Sequence, residues 1–419
     1  MGAMGPADEA MRRRARLDHV DLLRGIIMVV MSLDHIRDYL SYLPFPPEDM
    51  QHTWPALFFT RWITHFCAPW FCFLAGTGAY LALSRGKAPS QTQSLLWKRG
   101  LWLIVLEWTV VGFGWTFLPS PFPIALVLWM LGWSMISLSF LVKLPVKWIA
   151  AIGIAMILLH NLADPLKPAQ FGHFAWLWQI LHVQGFIAST PPHLLFGKIP
   201  MVFGVIYPLL PWPGVMAAGY AFGAVMPKPA AERHNILLWL GSACVVLFIV
   251  LRATNIYGNP HAPGVGGGDF HPQATVVMTL IAFLDTAKYP PSLQFLLMTL
   301  GPGFLALAIF DRIDIAGRGI AAAISRFFLV YGRVPMFYYV LHIYLLHLMA
   351  IVAARFFRQP VWWLFHGAFF TQPTPPGYGH DLPFVYLMWM VAVGLLYYPC
   401  KRYMEFKRRH RDWNWLSYF

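Results

Sequence analysis

Asp34, His35, Arg37 and Asp38 crowd into SLDHIRDYL, residues 32–40, directly behind the apolar run LLRGIIMVVM. Arg61, Thr64 and His65 lie in RWITHF, at the start of the next long apolar stretch. An imidazole can exchange a proton near neutral pH, a carboxylate can orient it, and an arginine can neutralise that carboxylate. His35 and Asp38 are i,i+3 on a helix, so the carboxylate can hold the imidazole in one tautomer. Asp34 and Arg37 share that spacing, and Arg61 and His65 are i,i+4. Two like charges on one helix repel, so Arg61 is expected to pair with a carboxylate of the first helix, Asp34 or Asp38. Together these groups could work as a general base in a low-dielectric site. The competing reading is a polar network that only pins two helices together.

The elements that must position them follow from composition. The chain has 419 residues, 58% hydrophobic and 12% charged; an ordinary soluble domain carries about 25% charge. A membrane-spanning helix needs about 20 mostly apolar residues, and the chain offers about ten such runs. They fall at 21–42, 57–83, 98–118, 122–142, 146–163, 199–225, 236–256, 290–310, 333–355 and 383–402. The expectation is an all-α, polytopic transmembrane helical bundle of about ten spans, with both termini cytoplasmic. Its parts would be a basic segment 1–20, a membrane domain 21–402 and a basic tail 403–419. Continuous apolar runs, not alternating ones, argue against a β-barrel. The first helix reads as retained, because its apolar run continues into a full span without a small-residue cleavage site.

The net charge of +13 does not call for nucleic acid. Its basic residues cluster at alternate loops: Arg12, Arg13, Arg14 and Arg16, then Arg85 and Lys87, Lys143 and Lys147, Lys228 and Arg233, Arg312 and Arg318, and Lys401 to Arg411. The positive-inside rule places such clusters in the cytoplasm. Cys67, Cys72, Cys244 and Cys400 lie in apolar segments with no Cys-x-x-Cys pair, so neither a disulfide framework nor a metal site is expected. Nor do the histidines show a zinc-binding spacing.

Depth sorts the remaining polar groups. His35 lies about 20 Å along the first helix from Leu22, and His65 about 12 Å along an antiparallel second helix, which puts both in one outer layer. His342 and His347, in GRVPMFYYVLHIYLLHLM, come about 12 and 20 Å from the inner side, so His347 could share that layer. Glu107 lies about 10 Å from the inner side, lining a cavity or pairing with Arg99. Buried ions cost roughly 2.5–3.5 kcal/mol each and persist where they serve a purpose. Arg24 with Gly25, Arg99, Arg326 and Arg333 mark inner helix ends and could hold phosphates of a nucleotide-bearing donor; Glu107 and His342 complete this candidate donor set. Each arginine alone reads equally as a membrane-surface anchor. The outer loops 164–198, 257–289 and 356–382 are rich in Pro, Gly, aromatics and His, including His193 and His366. Within them FAWLWQILHV and ATVVMTLIAFL read as short helices and GVGGGDF as a turn.

RLDHVDLLRGIIMVVMSLDHIRDYL followed by RWITHFCAPWFCFLAGTGAYL resembles the start of the heparan-α-glucosaminide N-acetyltransferase catalytic domain and its bacterial relatives. LPWPGVMAAGYAFG, KYPPSLQFLLMTLGP and GRVPMFYYVLHIYLLH extend the resemblance over most of the chain. It implies an acetyl group passed from cytosolic acetyl-CoA, a co-substrate, to an amino sugar across the membrane. It also implies an outer histidine and a polar residue near the outer end of the first helix. Aligned on Arg24-Gly25, that polar residue falls on His35 and the histidine near His52 in QHTWP, with a short gap. His35 stands where the family has an amide, so the base is His35, His52 or His65. The reading is a transmembrane acyltransferase of the bacterial cytoplasmic membrane, with an acyl-CoA donor and a sugar or envelope-glycan acceptor. A homodimer is left open. The alternative is a proton-coupled transporter relaying protons through Asp34, His35, Asp38 and Glu107.

Overall fold

The computed structural model describes residues 6–42, 44–84, 88–118, 123–188, 202–261, 266–365, 374–410, 413 and 415–416, without the side chains of 6–17 and 188. Arg85, Lys87, His193, His366 and Arg411 lie outside the described residues, as do the side chains of Arg12, Arg13, Arg14 and Arg16.

The first helix, α1, runs Pro6–Leu40 without a break. Next come α2 (Pro55–Trp62), a single tight turn at Ile63–Phe66, and α3 (Cys67–Leu83). Helix α4 (Pro89–Leu106) widens into a π turn at Glu107–Val111 and ends in α5 (Gly112–Thr116). There follow α6 (Val127–Leu141), α7 (Val146–Leu159), α8 (Ala175–His182), α9 (Trp212–Phe222) and α10 (Ala230–Thr254). The described chain closes with α11 (Val276–Leu284), α12 (Leu293–Phe310), α13 (Ile320–Gly332), α14 (Pro335–Phe356) and α15 (Leu382–Arg409).

Among the described residues, six helical stretches are long and apolar enough to cross a membrane: Pro55–Leu83, Val146–Ala163, Ala230–Thr254, Leu293–Phe310, Pro335–Phe356 and Leu382–Arg409. Four of the expected ten, 21–42, 98–118, 122–142 and 199–225, are not present in that form, and 98–118 divides between α4, the π turn and α5. Helix α1 is long enough but carries Arg24, Asp34, Arg37 and Asp38 in its apolar half. Helix α6 starts only at Val127, after Pro123, and is 15 residues long. The run 199–225 is broken by Pro208 and Pro211, which cannot continue a helix. Among its described residues, Trp212–Phe222 is α-helical and runs on in a 3-10 turn to Val225, and Val202–Val205 forms a strand instead.

That strand, β3, pairs in parallel with β1 (Ile124–Ala125) and antiparallel with β2 (Gly185–Ala188) in the order β1-β3-β2. The fold is therefore helical with one small sheet, not purely α. The short helices read from FAWLWQILHV and ATVVMTLIAFL are α8 and α11. The apolar helix α13 was not among the expected elements.

Helix α1 is the hub, packed against α3, α12, α13, α14 and α15. Ile27, Met28, Met31, Leu33, Ile36 and Tyr39 are all buried along it. Close crossings use small residues, as membrane bundles do where no hydrophobic drive pulls helices together. At α1–α13, a methyl on Gly25 would run into the Phe328 carbonyl, and one on Gly332 into that of Asp21. Outside the bundle, Gly266, Gly267 and Gly268 adopt φ of +81°, +90° and +96°, a turn that needs glycine. Asp285 is buried against this turn, its Oδ2 accepting from the Gly267 N–H at 3.3 Å. Burial pushes its carboxyl up to about 7.

Two outcomes follow. Gly25→Ala overpacks the α1–α13 crossing, a class of change that costs about 1–3 kcal/mol. It is expected to lower Tm in detergent, while Gly78→Ala, whose methyl meets open space, leaves Tm unchanged or slightly raised. Asp285 is protonated more readily folded than unfolded, since its pKa of about 7 lies above the ordinary 3.8. Stability should therefore fall as pH rises through that interval. Thermal unfolding across that pH range should show the decline in the wild type and its flattening in Asp285→Asn.

Candidate active site

The last two turns of α1 open onto a cavity of about 320 Å³. Helix α1 supplies Asp34, His35, Arg37 and Asp38; the following loop supplies Pro46, Pro47 and Glu48; α2 supplies Arg61. Trp115, Leu126, Val127, Tyr207, Tyr289 and Tyr339 close the remaining walls.

The charges form one alternating chain. Asp38 pairs with Arg37, and Arg37 pairs with Asp34 at 2.9 Å. Asp34 also accepts from Arg61 Nη1, whose Nε donates to Glu48 Oε1 at 2.6 Å. Glu48 reaches His65 Nε2 at 3.3 Å. Arg61 thus chooses Asp34 of the two carboxylates open to it, and adds Glu48. Burial alone would raise the Glu48 carboxyl, but Arg61 and the His65 bond reverse this and hold it well below the usual carboxylate range. Lys288, also buried, sets its ammonium 5.2 Å from the Tyr289 ring centre, within electrostatic reach of Asp34 and His65. Three carboxylates (Asp34, Asp38, Glu48) then face three cations (Arg37, Arg61, Lys288), and the layer is balanced.

His35 does not use Asp38, as its spacing suggested, because that carboxylate is taken by Arg37. Its Nδ1 instead meets His342 Nε2 at 2.7 Å, and His342 Nδ1 meets the Tyr338 carbonyl at 3.1 Å. The two imidazoles lie edge to edge, centres 5.0 Å apart and planes 20° apart, with Trp115 edge-on to His35 at 4.9 Å between ring centres. Of the three candidate bases, only His35 lines the cavity. His65 is buried on Glu48 and packs against Phe295. The His52 side chain is 57% exposed and bonded to Asp49 at 2.7 Å. His347 is a packing residue, stacked against Tyr39 and Phe117 with Nδ1 on the Gly114 carbonyl.

A second cavity, of about 360 Å³, opens beside the middle of α1, at Arg24 and Met28. Arg24, Arg99, Arg333 and Lys407 supply its cations, and Met28, Leu74, Leu96, Leu103, Leu131 and Met135 much of its apolar wall. Val127 and Tyr339 line both cavities, so the two meet there. Arg24 donates to the Gly332 carbonyl at 2.6 Å, and Arg333 to Asp18 at 2.8 Å.

The rest of the expected donor set lies elsewhere. Gly25 is packed under α13. Arg326 donates to the Ile315 and Gly317 carbonyls at 3.0 and 2.8 Å. The π turn aims Glu107 at the start of α6, where Oε2 accepts from the N–H groups of Leu128 and Trp129 at 2.7 and 3.2 Å, the favoured place for a carboxylate on a helix. His342 belongs with His35. Sequence reasoning missed Glu48, Lys288, Tyr339 and Lys407 as cavity or layer residues. A signal existed for Glu48, one of two acids in the Pro-rich PFPPEDM loop.

Removing Arg61 strands two buried carboxylates, a change that typically costs 3–5 kcal/mol. Arg61→Met is expected to lower Tm strongly, and adding Asp34→Asn and Glu48→Gln to recover much of the loss. Thermal unfolding of the three variants in one detergent checks this; losses that simply add would disprove the coupling.

A comparison with curated proteins finds no match. The sequence profile described as heparan-alpha-glucosaminide N-acetyltransferase, catalytic, matches residues 16–254. That stretch holds the charged turns of α1, Glu48, Arg61 and Val127, while Tyr339 lies beyond it. The chain belongs to the heparan-alpha-glucosaminide N-acetyltransferase catalytic family, a family of membrane acetyltransferases.

Proposed function

We propose that this protein carries an acetyl or short acyl group from acyl-CoA, bound in the basic cavity, to an amine or hydroxyl of a sugar or envelope glycan in the outer cavity. The observation that carries this reading is the meeting of the two cavities at Val127 and Tyr339, with His35 on the acceptor side. Phosphates suit the rim of Arg24, Arg99, Arg333 and Lys407, where arginine gives forked hydrogen bonds and lysine a point charge. The apolar wall suits the donor's uncharged arm. The thioester then lies at the junction. His35 takes the acceptor's proton as its nitrogen or oxygen attacks the thioester carbon. A C–N or C–O bond forms, the C–S bond breaks, and the thiolate leaves with the donor. By the positive-inside rule the basic cavity faces the cytoplasm, and the His35 cavity the far side of a bacterial cytoplasmic membrane.

A transporter relay fits less well. Of its four members, Asp34 and Asp38 are committed to arginines and Glu107 to a helix start, which leaves His35 alone and no chain of acids to pass a proton on.

Calorimetric titration of acetyl-CoA into the protein in nanodiscs should show saturable binding. His35→Gln should keep that binding and lose at least about 10²-fold in transfer, the usual share of a general base. Arg99→Gln and Lys407→Gln should raise the donor Kd with little change in kcat. Absence of binding to the folded protein would overturn the donor assignment, and transfer surviving in His35→Gln the role of His35. A covalent acetyl adduct on His35 by mass spectrometry would replace direct transfer with a two-step route.

A further inference from the structure

The hydrogen-bond chain behind His35 has a direction. The Tyr338 carbonyl can only accept, so the proton at the 3.1 Å contact sits on His342 Nδ1. A neutral imidazole has one N–H, so His342 Nε2 turns a lone pair toward His35. At 2.7 Å the donor must then be His35 Nδ1–H. The remaining nitrogen of a neutral His35, Nε2, is left as a lone pair. It has no hydrogen-bond partner among the described residues, and its ring borders the outer cavity.

His342 is held firmly enough to impose this order. It is fully buried, stacked on Tyr338 with planes 10° apart, and Tyr338 is itself tied to Ser32 through its hydroxyl at 2.9 Å. We propose that His342 is a positioning residue that locks His35 in its Nδ1–H tautomer, so that the nitrogen offered to the acceptor is always the basic one. This rests on the reading of His35 as the base. When Nε2 takes up the acceptor's proton, the Nδ1–H bond persists and becomes charge-assisted, drawing His342 Nδ1–H further onto the Tyr338 carbonyl.

A neutral orienter suits this layer. A carboxylate behind His35 would add a buried charge without an arginine of its own, in a layer whose six charges already balance. An imidazole relayed to a helix carbonyl performs the orienting task without net charge. The nearby acids are correspondingly turned to Arg37 and Arg61 and away from His35.

The test reads the tautomer directly and does not depend on activity. Protein labelled with [¹⁵N]histidine is studied in nanodiscs by solid-state NMR, above the pH range in which imidazoles usually titrate. His35 signals are assigned by their loss in His35→Gln. The expected result is a pyrrole-type Nδ1 and a pyridine-type Nε2 in the wild type. His342→Phe keeps an aromatic ring but removes the acceptor, so Nε2–H signal should appear and kcat should fall by about 10²-fold, with the donor KM unchanged. His342→Gln, whose side-chain oxygen can accept from Nδ1–H, should restore both the tautomer and most of the rate. Nε2–H as the main form in the wild type overturns the proposal, and the wild-type spectrum decides this even if a variant fails to fold. An unchanged tautomer or kcat in His342→Phe overturns it as well. The expected tautomer alongside full activity in His35→Gln would instead refute the base assignment and leave the lock standing.

Discussion

A carboxylate cannot remain ionised in the apolar layer of a helical bundle without a counter-charge, and Arg61 is that counter-charge twice over. It takes Asp34 from α1 and Glu48 from the loop between α1 and α2. These two bonds set where α2 lies against α1 and hold the Pro46–Glu48 loop over the cavity. Glu48 passes the constraint on to His65, and Asp34 passes it to Arg37 and so to Asp38. Breaking a chain of this kind at one member leaves its neighbours charged and buried, which is why the whole outer cavity depends on it.

The same helix borders both cavities. Near Arg24, α1 crosses α13 so closely that Gly25 and Gly332 have no room for side chains, and this crossing brings Arg333 beside Arg24. Near Asp34 the helix borders the outer cavity instead. Tyr339 and Val127 stand between, so a group bound at one end can be presented at the other only across those two side chains.

Much of the bundle was legible because membrane helices announce themselves by length and apolarity. The elements misjudged are those where a local rule overrode the average. Pro208 and Pro211 turned part of an apolar run into strand and loop, and the charges of α1 mark a buried hub instead of a lipid-facing span. At the site, spacing along one helix revealed Asp34–Arg37, and like-charge repulsion on its own helix pointed Arg61 to a carboxylate of α1. Spacing failed for His35 and Asp38, because i,i+3 says which groups can meet, not which other partners compete for them. The true partner, His342, lies 307 residues away in sequence. Glu48 and Lys288 come from loops, whose paths no periodicity predicts. Gly25 was legible as a special position but for packing, not for binding.

The distribution of charge also argues for the direction of the chemistry. In the outer cavity every carboxylate is matched by a cation, so the space presents little net field to an acceptor and leaves its recognition to hydrogen bonds and shape. The basic cavity borders four cations, with the matching acids Asp21 and Asp18 pairing Arg24 and Arg333 from α1. An excess of positive charge at a cavity mouth attracts anions and raises their local concentration. One entrance is thus electrostatically selective and the other is not. An anionic donor is drawn to the end far from His35, and its reactive end, not its charged end, is what can reach the junction. On the proposed reading, a transient positive charge on His35 of the neutral His35–His342 pair would be stabilised by Asp34 and the relay, without a permanent ion having to be buried there.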